Sequence, residues 1–115
     1  MSWDVYLTKN GKPVEVNRHC EGGIYAVGGS TEADLNVTYN YNPFYYQFLD
    51  KEKGLRWLDQ KITRDCTHRL YEAIKKLGTN RDKNYWASTP GNAGYALVIL
   101  LDWAKEHPDA IFEVS

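Results

Sequence analysis

His19, Cys20, Cys66 and His68 are the first residues to test for chemistry, because two histidines and two cysteines make a known zinc set. The spacing works against it. On a helix, residues two apart such as Cys66 and His68 are separated by about 200° around the axis and face opposite ways. Cys66 falls on an apolar stripe and reads as a buried free thiol, with His68 on the exposed side. No metal is expected. Nucleophilic catalysis needs a Cys or Ser held against a base, yet His19 and Cys20 are neighbours on an extended segment, where side chains alternate. A Gly-x-Ser-x-Gly elbow is absent, and the many Asp and Glu residues form no spaced pair in an apolar setting that would raise a carboxyl pKa. The residues favour a binding protein over an enzyme, and neither a catalytic residue nor a cofactor is assigned.

Two regions suit ligand recognition better, each with a plainer alternative: a well-capped helix behind an exposed loop for the first, a solvent-facing sheet surface for the second. Thr89-Pro90-Gly91-Asn92 reads as a helix start, whose free amides and positive dipole end favour anions, and Gly91 lets a ligand approach the backbone. Arg81, Lys83, Tyr85 and Trp86 precede it and add charge and a stacking surface. The second region is a strand face carrying Asn36, Thr38 and Asn40, whose amides offer donors and acceptors together. If the two regions meet, they form one site with aromatic walls. The candidate ligand-binding set is therefore Tyr25, Asn36, Thr38, Asn40, Arg81, Trp86, Gly91 and Asn92. The glycine pairs Gly22-Gly23 and Gly28-Gly29 lack the following Gly-Lys-Ser/Thr of a phosphate loop and read as tight turns.

The elements that must position these residues change period along the chain. Trp3–Leu7 alternates as a half-buried strand, Asn10-Gly11 is a two-residue hairpin signal, and Pro13–Val16 is the expected return. Ile24–Val27 is a third strand and Leu35–Tyr41 a fourth, with Leu35, Val37, Tyr39 and Tyr41 on one face. Pro43–Leu49 is a short aromatic helix or turn. Leu55, Leu58, Ile62, Cys66, Leu70, Ala73, Ile74 and Leu77 then form one amphipathic stripe, ended by Gly78. A helix from Pro90 to about Glu106 is apolar nearly all round, so it is the expected central core helix, and Pro108 stops it. Ile111–Val114 reads as a last short strand. The fold class is α+β: a small antiparallel sheet from the N-terminal half packed against two main C-terminal helices, in a single domain spanning 1–115.

Composition narrows the partners. The chain of 115 residues is 43% hydrophobic and 25% charged, within the range of one ordinary globular domain. A net charge of −1 supplies no bulk attraction to nucleic acid or anionic lipid, so nucleic acid is disfavoured. The longest apolar run, Tyr95–Leu101, is far below the ~20 residues that span a bilayer, and no membrane role is expected. The start Met1-Ser2-Trp3-Asp4 lacks a basic or apolar secretory stretch, which points to the cytoplasm and reduced thiols. Nine Tyr and four Trp are the one departure from ordinary composition; such side chains bury large areas while keeping a polar handle, so they suit cores and interfaces alike and hint at binding.

The stretch Gly22-Gly23-Ile24-Tyr25-Ala26-Val27-Gly28-Gly29-Ser30-Thr31-Glu32-Ala33, followed by Leu35-Asn36-Val37-Thr38-Tyr39-Asn40-Tyr41, resembles a family of short uncharacterised proteins of bacteria and their phages. The segment from Tyr85-Trp86 through Thr89 and Gly91-Asn92-Ala93 to Pro108 is similar to that family's C-terminal half. The resemblance implies a small bacterial, phage or prophage accessory protein and carries no activity with it. The expected partner is a host protein or a small ligand. An alternative is a small enzyme or sequestering protein for a nucleotide or other phosphorylated metabolite, and a third reading is a homodimer formed through exposed Tyr and Trp.

Overall fold

The computed structural model describes residues 1–16 and 32–115, together with the backbone of Tyr25–Ala26. His19, Cys20 and the two glycine pairs fall outside the described residues. Strand β1 (Ser2–Lys9) turns through Asn10 (φ 55°) and Gly11 (φ 76°) into β2 (Lys12–Pro13). Both turn residues have positive φ, as the hairpin signal required. The return strand starts one residue earlier than expected and is short; beyond it Glu15 pairs with Glu32 as an isolated bridge. β3 (Tyr25–Ala26) lies within the expected third strand and pairs with β4 (Asp34–Thr38).

β1 is the hub of a five-stranded antiparallel sheet of order β2-β1-β4-β3, with β5 (Ile111–Val114) also paired to β1. The amide and carbonyl of Asp4 bond to Ser115, whereas those of Leu7 bond to Ala33 and Val14. Backbone groups of even and odd residues point to opposite strand edges, so β5 occupies one edge of β1 while β4 and β2 share the other. The sheet therefore draws a strand from the C-terminus as well as from the N-terminal half. Its inner face buries Val5, Leu7, Leu35, Val37 and Phe112, and its outer face leaves Asp4, Tyr6, Asp34, Asn36 and Glu113 half-exposed.

Three helices cover the inner face: α1 (Asn42–Phe48), α2 (Thr67–Leu77) and α3 (Pro90–Glu106). α3 is buried along most of its length, including Leu97, Ile99, Leu100 and Trp103, because its sequence offers no polar stripe to turn to water. α2 is amphipathic, burying Leu70, Ala73 and Leu77 and ending at Gly78 (φ 77°). α2 and α3 approach closely at glycine. A Cβ built on Gly94 would lie 1.9 Å from the Gly78 carbonyl oxygen.

Two sequence expectations are corrected. The strand through Tyr41 stops at Thr38 and tightens into a 3₁₀ turn at Tyr39–Tyr41, so Asn40 does not continue the face of Asn36. The single helix expected from Leu55 to Leu77 is divided: 3₁₀ turns cover Gly54–Leu58 and Thr63–Asp65, and the α-helix begins at Thr67. Between the two turns the backbone leaves helical geometry to satisfy the free edge of β5. Gln60 N donates to Phe112 O (2.7 Å), Phe112 N to Lys61 O (3.0 Å) and Thr63 N to Ala110 O (2.9 Å), with Gln60 at φ 66°. The apolar stripe survives because Leu55, Leu58 and Cys66 are all buried. A spacing of three and four fits 3₁₀ turns as well as one continuous helix.

Candidate functional site

The loop of residues 79–89 joins α2 to α3 without regular secondary structure, yet its backbone is tied down from two sides. From beneath, Asn92 in the first turn of α3 is only 1% exposed. Its Oδ1 accepts from Asp82 N (2.9 Å), and its Nδ2 donates to Asn84 O (3.1 Å) and Ala87 O (3.0 Å). A loop lacking ladder bonds must satisfy its polar groups elsewhere, and one buried amide serves three of them. Gly91 lets the loop lie flat on the helix, since a Cβ there would sit 1.9 Å from Asn80 O. Thr89 caps the helix, its hydroxyl accepting from Asn92 N (3.2 Å).

Within the loop, Asp82 Oδ1 accepts from Asn84 N (2.8 Å) and Asn84 Oδ1 accepts from Trp86 N (3.1 Å), two successive Asx turns. The other side is held by the 3₁₀ turn after β4. Asn40 Nδ2 donates to Trp86 O (2.7 Å), Ser88 Oγ donates to Asn40 O (2.8 Å), and the Tyr41 hydroxyl donates to Tyr85 O. Burial pushes the Tyr41 phenol up to about 12, so it remains a donor through neutral pH. Tyr45, fully buried, donates from its hydroxyl to Ala93 O (3.0 Å) at the head of α3. The two regions singled out in the sequence therefore meet, through Asn40 and Trp86.

The result is a fixed backbone that displays two aromatic side chains. Tyr85 is 42% and Trp86 45% exposed. Beside them lies an open depression of ≈ 640 Å³ lined by Thr79, Asn80, Arg81, Asp82, Lys83 and Tyr85. The Arg81 guanidinium stacks over the Tyr95 ring at 4.4 Å, which orients it along the surface. The lining offers two cations, a carboxylate that caps Asn84 N, and hydroxyl and amide groups. Such a set can hold and orient a partner. Cys66 lies apart, buried, with burial pushing its thiol up to about 11 and holding it protonated at neutral pH. His68 is exposed, as its helix position implied. Among the described residues no group of three His, Cys, Asp or Glu is placed to hold a metal ion.

The predicted set divides. Asn40 and Trp86 come together at the loop, and Arg81 stands on the same loop in the depression beside Tyr85. Gly91 and Asn92 lie directly beneath it and are engaged in packing and hydrogen bonding within the chain. Thr38 is buried and caps the 3₁₀ turn through Asn40 N (3.2 Å). Asn36 stays on the outer sheet face, donating from Nδ2 to Ser2 Oγ (2.6 Å) and Asp4 Oδ1 (3.0 Å). The Tyr25 backbone pairs with Asn36, and its side chain is outside the described residues. Ser88 and Tyr41 were missed as loop anchors, and no sequence signal announces them. The Asp82-x-Asn84-x-Trp86 spacing does carry a signal, because Asp and Asn side chains commonly accept from the amide two residues on. No helix among the described residues is long and apolar enough to cross a membrane. Comparison with known protein families, with curated proteins and with solved structures finds no match to this chain.

Proposed function

We propose that this protein is a non-enzymatic binding protein, a small accessory protein of a bacterium or phage, which engages its partner through Tyr85 and Trp86 on the loop of residues 79–89. The observation that carries the reading is the combination of a pinned backbone with exposed aromatic side chains. Exposed Trp and Tyr on a rigid support are the residues that dominate binding energy at protein interfaces. Holding them in place beforehand lowers the ordering cost of association. Immobilised wild-type protein and the Tyr85→Ala/Trp86→Ala variant, each exposed to bacterial lysate, test it. A stoichiometric protein retained by the first and lost by the second supports the proposal. Equal retention by both, with the variant folded, refutes it.

The depression beside Tyr85 favours a second reading, sequestration of a phosphorylated metabolite. Arg81 and Lys83 would take the phosphate there, since the Asn80 carbonyl lies against Gly91 at the helix start. Thermal shift with a nucleotide panel separates the readings, because a ligand at 100 times its dissociation constant adds about 2.7 kcal/mol of stability.

A further inference from the structure

The charge of this chain is unevenly distributed. Residues 51–83 hold ten Lys and Arg against five Asp and Glu, a local charge of +5, while the rest of the chain holds four against ten, a charge of −6. The basic section ends at the proposed binding loop. Lys75 and Lys76 are exposed in the last turn of α2, directly ahead of Thr79, and Arg81 and Lys83 line the depression next to Tyr85. Lys75 lies over the exposed Tyr71 ring at 5.6 Å, and Arg81 over Tyr95 at 4.4 Å, so aromatic surfaces help orient these cations. Lys83 makes no ion pair among the described residues. Lys75 and Lys76, in the last turn of α2, also complement the negative end of its dipole.

We infer that the occupant of this site is an acidic protein segment, which sets its carboxylates against Lys75, Lys76, Arg81 and Lys83 and an apolar side chain against Trp86. This rests on the binding role proposed for the loop and goes beyond it by fixing the chemistry of the partner. Charge complementarity argues for it: a basic patch on an otherwise acidic molecule orients an acidic partner toward the loop and repels it from the sheet. A nucleic acid fits less well. A long polyanion would run from the patch onto the acidic remainder of the surface, and Asp82 and Glu72 interrupt the basic track. A short acidic segment ends before it meets that remainder, and the Asp82 carboxylate within the depression is already engaged with Asn84 N.

The test is selection from a displayed library of random short peptides on the intact protein, followed by binding measurements on the enriched sequences. The expected result is enrichment of Asp and Glu beside an aliphatic or aromatic residue, with affinity falling as salt rises. Lys83→Glu should weaken these peptides about tenfold and Trp86→Ala at least as much, with circular dichroism of both variants unchanged. Enriched peptides without acidic bias that still lose affinity in Trp86→Ala would overturn the acidic partner and leave the binding loop standing. Acidic peptides indifferent to both substitutions would overturn the site as well. Displacement of the peptides by single-stranded oligothymidylate at equal concentration would reassign the patch to nucleic acid. A selection with no enrichment counts against both readings.

Discussion

Replacing Gly91 by alanine sets two known effects against each other. Alanine is the better helix former, by up to about 1 kcal/mol in a helix interior and less in the first turn. Against that gain stands the Asn80 peptide: a Cβ on Gly91 would lie 1.9 Å from its oxygen, 2.6 Å from its carbon and 2.9 Å from its nitrogen. All three are backbone atoms, so no side-chain rotation relieves the clash. Ordinary contact begins at 3.4 Å, which requires the Asn80 peptide to withdraw by about 1.5 Å. Asp82 N, two residues further on, is tied to Asn92 Oδ1 at 2.9 Å, and a shift of that size breaks the bond. Overpacking costs about 1–3 kcal/mol and the lost bond about 1, so Gly91→Ala should destabilise the protein by about 1–3 kcal/mol after the propensity gain. Urea denaturation followed by circular dichroism measures the total, and amide hydrogen exchange locates it in residues 80–89. A Gly91→Ala protein as stable as the wild type, with loop exchange unchanged, would refute the packing of the loop on α3.

Asn92→Ala should cost about 2–3 kcal/mol and make the loop sensitive to proteolysis, because it strips the partner from Asp82 N, Asn84 O and Ala87 O at once. Tyr41→Phe should lower stability by about 1 kcal/mol while leaving the core intact, since it removes only the hydroxyl that holds Tyr85 O. In the wild type the raised Tyr41 pKa means the unfolded chain ionises first. Stability should therefore fall as pH rises from 10 toward about 12, and Tyr41→Phe should lessen that fall. Asp34 is raised above its ordinary 3.8 by burial, then by Asp4 and Glu32, and its Oδ1 is buried with no hydrogen-bond partner among the described residues. Its contribution to stability is full below 3.8 and lost as pH rises through the raised folded value, so Asp34→Asn should raise the melting temperature at neutral pH and flatten its dependence on pH. Asp50 and Asp109 are lowered, by the Lys53 amide and by Lys9 respectively, and their contribution is lost as pH falls below 3.8; melting temperature against pH should show both trends.

Local chemistry was enough for the elements whose geometry depends on neighbours in sequence. Asn10-Gly11 specifies a turn with positive φ at both positions, Gly78 ends α2, Thr89-Pro90 starts α3, and the unbroken apolar run of α3 requires burial over most of its surface. Those features, with strand alternation, were sufficient for the α+β class. The sequence also marked Trp86 and Asn40 as candidates, through residue types that suit recognition. Other outcomes required long-range hydrogen bonds. The helix expected from Leu55 divides because Gln60, Lys61 and Thr63 pair with the strand at the far end of the chain, a competition that apolar spacing does not encode. The strand through Tyr41 ends early because Thr38 caps a turn, placing Asn40 and Tyr41 on a loop more than forty residues away. Gly91 and Asn92 have the right chemistry for holding an anion, and only packing engages them with Asn80, Asp82, Asn84 and Ala87 instead. Residue types determined which groups were able to bind. Which of them remain at the surface was decided by the tertiary structure, because a buried polar group must find its partner wherever the fold brings one.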